Sequence, residues 1–171
     1  MGAWGHGPLD NDGACDWLLQ YRDTALDALD QVFEGVQEAI KDGYAETSHT
    51  QDLGAMAEVV AACHGKGLQT VEPFMMGTNP NTLTEDLTRH KDAVLAQSDL
   101  PQRTLDALTA CYKDPDASES YELWAEDGVD PKDFAGFKAS IISICERLSS
   151  IDGVMQPEHA FWTTWTTEVG T

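Results

Sequence analysis

Four cysteines and five histidines are the side chains of this chain best suited to nucleophilic or metal chemistry. Cys63-His64 sets a thiol beside an imidazole, a combination that activates a thiolate when the two side chains meet. Adjacent residues on a helix diverge, however. Cys63 also closes an alanine-rich apolar run, so it reads as an inert buried thiol. His6, His49, His64, His90 and His159 stand far apart, with no His-Glu-x-x-His and no histidine pair at helical spacing. Asp10-Asn11-Asp12-Gly13 has the look of a calcium loop, but Leu19 occupies the place of the closing glutamate. Gly2-x-x-Gly5-x-Gly7 lacks the preceding strand of a dinucleotide loop. Neither a Gly-x-Ser-x-Gly elbow nor a P-loop occurs. Carboxylates are so abundant that no single pair marks acid–base work. The sequence therefore assigns no catalytic residue, no metal ligand and no cofactor.

The carboxylates themselves are the strongest chemical signal. Thirty acidic residues face ten basic ones, a formal net charge of −20. Direct binding to nucleic acid or to an anionic membrane is excluded as the expected function, since both rely on Lys and Arg. A surface of this sign suits a basic protein partner, because complementary charge speeds association. Asp23, Asp27, Asp30, Glu34 and Glu38 recur along one side of a helical run and are the candidate partner-binding carboxylates. Trp162 and Trp165, in an aromatic tail rich in β-branched residues that reads as extended, either fold back onto the core or join that binding surface.

The elements that must position these groups follow from periodicity. A length of 171 residues and an apolar share of 42% fit one globular domain that needs neither disulfide nor metal. Cys15, Cys63, Cys111 and Cys145 sit in apolar helical settings without a C-x-x-C, as in a reducing compartment. No basic leader, apolar leader or membrane-spanning run is present, so the expected location is the cytoplasm. The start Met1-Gly2 fits a myristoylation pattern poorly.

The opening residues form a glycine-rich arm around Trp4, turning at Pro8 into Asp10-Asn11-Asp12. Glycines let a backbone approach closely and take positive φ, and an indole held between them makes a core anchor. Asn11 or Asp12 caps a first helix over 13–22, with Asp10, Asp12 and Trp17 part of the same structural motif. Leu26, Leu29, Val32, Phe33, Val36 and Ile40 continue a helical stripe to Lys41, with Thr24 a candidate cap if the chain breaks there. Ser48-x-x-Gln51 and Thr82-x-x-Glu85 read as capping boxes. Between them lies a charge-poor central helix, then a long loop over 66–82 carrying Phe74-Met75-Met76. Leu105, Leu108, Cys111 and Tyr112 give another helix. A brief turn through Trp124 precedes a last long helix, which starts at Asp130-Pro131 and carries Phe137 and Ile141.

The run Gly2-Ala3-Trp4-Gly5, Gly7-Pro8-Leu9-Asp10-Asn11-Asp12, Ala14 and Asp16-Trp17-Leu18 resembles the start of a bacterial family known as domain of unknown function 4259. Ala57-Glu58-Val59-Val60-Ala61-Ala62 is similar too, as is Glu122-Leu123-Trp124 with a helix ending in Arg147-Leu148. The resemblance spans residues 1–149 and leaves 150–171 as a divergent tail. It implies a mostly helical fold and transfers no reaction.

The fold expectation is all-α, a single irregular bundle of about six helices, sealed by the arm and the aromatic tail, with Trp4, Trp17, Phe33, Trp124, Phe137 and Ile141 as anchors. The functional expectation is a small acidic protein-interaction domain, immunity- or inhibitor-like. The alternatives are a carboxylate- and histidine-using metal-dependent hydrolase, or a housekeeping domain with a salt-adapted surface.

Overall fold

A computed structural model describes residues 5–69, 80–158 and 160–168. Among them run eight α-helices: α1 (Asp12–Thr24), α2 (Leu26–Asp42), α3 (Thr47–Cys63), α4 (Pro80–Leu95), α5 (Leu100–Tyr112), α6 (Glu119–Ala125), α7 (Pro131–Ser149) and α8 (Phe161–Glu168), with a 3₁₀ turn at Pro115–Ala117 before α6. The fold is all-α. Trp4, the Phe74-Met75-Met76 cluster and His159 lie outside the described residues.

Helix α3 is the axis. Leu53, Gly54, Ala55, Met56, Ala57, Glu58, Val59, Val60 and Ala61 are all buried, so every side of this stretch faces protein. A helix apolar all round belongs in a core. Helices α1, α2, α4, α5, α6 and α7 pack around it. Each fully buried Leu, Met or Val contributes about 1.5–3 kcal/mol. Small residues set how closely neighbours approach: a Cβ on Gly54 would stand 3.1 Å from the ring of Pro8, where the arm crosses α3.

Eight helices stand where about six were expected, and three stretches differ from the sequence reading for local reasons. The stripe from Trp17 to Ile40 is two helices, because Ala25 takes φ 49°, a region costly for a residue with a Cβ. The Ala25 N–H closes α1 on the Tyr21 carbonyl, and the Ala25 carbonyl accepts from Ala28 to open α2. Thr24 does not cap α2; its hydroxyl donates back to the Gln20 carbonyl. The stretch at Trp124 is a full helix, α6, capped by Ser118 Oγ accepting from the Tyr121 N–H. The tail, expected to be extended, is helical in α8. Thr163 and Thr164 donate their hydroxyls to the carbonyls of Ala160 and Phe161, while Phe161, Trp162 and Trp165 share the inner face. Burial of three aromatics overrides the strand preference of the threonines.

Two capping expectations shift. Helix α3 begins at Thr47 rather than after Ser48, and no side chain of its own caps it. The Thr47 N–H instead donates to Glu119 Oε2 at 2.6 Å, from the start of α6. Helix α4 starts at Pro80, ahead of Thr82. Asn11 and Asp130 cap α1 and α7 as the sequence suggested, accepting from Ala14 N–H and Lys132 N–H.

Candidate functional site

Two surfaces and one internal clasp are the places where chemistry-bearing side chains gather. The first surface is the outer side of α2. Asp27, Asp30, Glu34 and Glu38 all project to solvent on this helix, with Asp23 exposed at the end of α1. Their spacing of three and four residues puts neighbouring carboxylates about 5–6 Å apart at Cβ, over roughly 16 Å of helix axis. The inner side buries Ala28, Leu29, Val32, Phe33, Val36 and Ala39. Among the described residues none of Asp27, Asp30, Glu34 and Glu38 is in an ion pair. Asp23 alone of the five is matched, its oxygen 2.8 Å from Arg22 Nε, which holds its carboxyl below the usual range.

The chain's four arginines are spent locally: Arg22 on Asp23, Arg89 on Asp86, Arg103 on Asp99 and over the Phe33 ring, and Arg147 on Glu58. The guanidinium charge is therefore matched within the chain, while the α2 carboxylates stay open to water.

The arm builds the second surface. Residues 5–11 cross between α3 and α7 and close one side of a cavity of about 600 Å³. Its apolar wall is Trp124 of α6 with Phe137 and Ile141 of α7; Trp124 and Phe137 are stacked with centroids 5.5 Å apart and planes at 13°. Half-buried Trp124 also meets the His6 ring edge-on. His6 Nε2 lies 2.9 Å from Asp133 Oδ1, and its backbone carbonyl accepts from the Ser140 hydroxyl. The imidazole fits because residue 136 is glycine: a Cβ there would sit 2.7 Å from His6 Nδ1. The polar side of the cavity holds Thr50 and Ser120, whose hydroxyl oxygens are 2.5 Å apart, with the Tyr112 phenol beside them. Burial raises the Tyr112 phenol above its ordinary pKa. Glu46 and Glu119 complete the lining; the hydrogen bond from Thr47 holds Glu119 below the usual carboxyl range. The isolated parallel bridge of Ala45 with Ser118 ties the α2–α3 loop to α6 and sets this register.

Behind the arm lies the clasp. Glu58, fully buried on α3, is gripped by both terminal nitrogens of Arg147 on α7, one of them at 2.9 Å. The same carboxylate accepts from the Gln69 N–H at 2.9 Å. The Gln69 side chain in turn holds the arm, accepting from Leu9 N–H and donating to Asp10 Oδ2. Asp10 also accepts from Gly7 N–H, and a Cβ on Gly7 would overlap the Gln69 amide at 1.6 Å. The arm glycine at this position serves close approach, not a positive φ.

The remaining sequence-derived residues are placed as follows. Trp17 is buried, stacked on Tyr21, with its indole N–H 3.4 Å from the Ala28 carbonyl. Asp12 sits in the first turn of α1, and Asp10 in the clasp. Trp162 and Trp165 are 5% and 4% exposed, packed with Phe161, Tyr112 and Tyr121. Their indoles are part of the core. Phe33, Phe137 and Ile141 are buried; Trp124 is only half so, because it faces the cavity. No disulfide joins the four buried cysteines, and burial raises the thiols of Cys63, Cys111 (to about 12) and Cys145. Among the described residues no three His, Cys, Asp or Glu side chains are grouped to hold a metal, and no helix is long and apolar enough to cross a membrane.

Sequence reasoning missed Glu58, Arg147 and Gln69. A lone carboxylate within the otherwise apolar run of α3 was the available signal, since such a charge needs a partner.

A family model described as "Domain of unknown function (DUF4259)" matches residues 2–135, which covers α1 to α6 and the start of α7 and stops short of Arg147 and α8. No curated protein and no solved structure matches.

Proposed function

The chain belongs to the family described as a domain of unknown function, DUF4259, and from that premise we propose that it is a cytoplasmic protein-binding domain whose α2 face docks a basic partner. The single observation that carries the reading is the line of Asp27, Asp30, Glu34 and Glu38, exposed and outside any ion pair among the described residues. Like charges at these spacings cost a helix about 0.2–0.5 kcal/mol per neighbouring pair. Three such neighbours are held against that cost, and a basic surface would relieve it. The role is immunity- or inhibitor-like: the domain covers a cationic site on its partner and gives up no chemistry of its own. Steering by the whole negative surface, net −20, raises the encounter rate.

The test compares the wild-type chain with a variant carrying Asp27→Asn, Asp30→Asn, Glu34→Gln and Glu38→Gln as baits in the same cell extract at low salt. The reading expects a basic protein retained by the wild type and lost from the variant. Equal capture by both baits, or a retained partner with an acidic surface, overturns it.

A further inference from the structure

We propose that the arm-lined cavity is a binding site for a small organic cation, a primary ammonium or guanidinium carried on an apolar or aromatic body. Its volume, about 600 Å³, lies within the span of small-molecule pockets. The body of such a ligand is met by Trp124, Phe137 and Ile141. The stack of Phe137 behind Trp124 fixes the indole in place, and an indole is the best side-chain acceptor of a cation on its face.

The sign of the ligand follows from the charges around it. Glu46 and Glu119 line the cavity, and among the described residues no Lys or Arg does. Glu122, bonded to the Tyr44 hydroxyl at 2.7 Å, adds a third carboxylate near the mouth. The one imidazole present, His6, already directs Nε2 to Asp133. An anion would meet two carboxylates with no counter-charge, whereas a cation finds opposite charge and an aromatic face together. Thr50 and Ser120 offer hydroxyl acceptors on the polar side. The Thr47 hydroxyl, buried in the same wall, has no hydrogen-bond partner among the described residues. None of Asp27, Asp30, Glu34 and Glu38 lines this cavity, so the proposal stands apart from the α2 reading.

The experiment is calorimetric titration of the full chain with phenethylammonium, with 2-phenylethanol and 3-phenylpropionate as matched neutral and anionic probes. The ammonium is expected to bind saturably and at least about tenfold more tightly than the alcohol, a difference of about 1.4 kcal/mol, with no binding of the carboxylate. Trp124→Ala and Glu46→Gln should each weaken the ammonium about tenfold. Glu46 is exposed and makes no side-chain cap bond to α3, so Glu46→Gln should unfold at the wild-type temperature. The α2 variant should bind the ammonium like the wild type. The proposal is overturned if the alcohol or carboxylate binds as well as the ammonium. It is equally overturned if no probe gives saturable heat, or if Glu46→Gln leaves the ammonium affinity unchanged.

Discussion

Replacing Arg147 with methionine removes both guanidinium donors from a carboxylate that is 0% exposed. Methionine keeps most of the aliphatic stem, so the loss is mainly of charge and hydrogen bonds. Breaking one side of a buried pair leaves an uncompensated charge, at about 3–5 kcal/mol. Domains of this kind hold about 5–15 kcal/mol in total, so Arg147→Met should remove a large share of the stability. Adding Glu58→Leu to it removes the stranded charge. The Gln69 N–H then loses its acceptor, at about 1–3 kcal/mol. The double variant should therefore recover roughly half or more of the loss, and the two substitutions should be strongly non-additive. Urea unfolding of wild type, both single variants and the double variant, with equal m-values, measures the cycle. An Arg147→Met domain within about 1 kcal/mol of wild type, or a double variant no more stable than that single one, refutes the assignment of Glu58–Arg147 as the internal clasp.

Three further outcomes follow from the same structure. Gly7→Ala drives a Cβ into the Gln69 amide, so the bonds to Leu9 and Asp10 must give; a loss of about 1–3 kcal/mol is expected, with faster proteolysis inside residues 5–11. Trp165→Ala opens a void among Phe161, Tyr112 and Tyr121 and should cost about 3–5 kcal/mol in thermal unfolding, whereas an indole kept free for a partner would cost almost nothing. Burial raises the Asp52 carboxyl to about 6, helped by Asp16 and opposed by His49. A raised acid favours the folded state while it stays protonated, so its stabilisation is complete below the unfolded value of 3.8 and is lost as pH rises through about 6. Asp52→Asn should thus gain about 1–2 kcal/mol at pH 7 after allowance for solvent screening, and show no gain near pH 4 in urea unfolding at both pH values.

Much of the scaffold was legible because its signals are local. The charge-poor run from Leu53 to Cys63 announced a central helix, and Asn11 and Asp130 cap the helices they precede. The outward side of α2 followed from helical spacing alone. What stayed hidden depends on contacts between distant residues. Nothing near Ala25 is a glycine or proline, and Thr24, the candidate cap, is not used as one, so the break between α1 and α2 is only faintly marked in the sequence. The cap on Thr47 comes from Glu119, 72 residues away, and the partner of Glu58 lies 89 residues away. The cavity draws its wall from the arm, the α2–α3 loop, α3, α5, α6 and α7, and no spacing rule joins six such segments. The tail misleads for a different reason: the strand preference of its threonines is local, whereas the core that Phe161, Trp162 and Trp165 join is not.

The most direct measurement of the central claim is the affinity of the protein that the wild-type chain retains, determined by titration with wild type and with the Asp27→Asn, Asp30→Asn, Glu34→Gln, Glu38→Gln variant across a salt series. The account predicts affinity that falls steeply as ionic strength rises past about 0.1 M, and a loss of at least about tenfold in the variant at low salt. Affinity that is flat with salt and the same for both chains would contradict it.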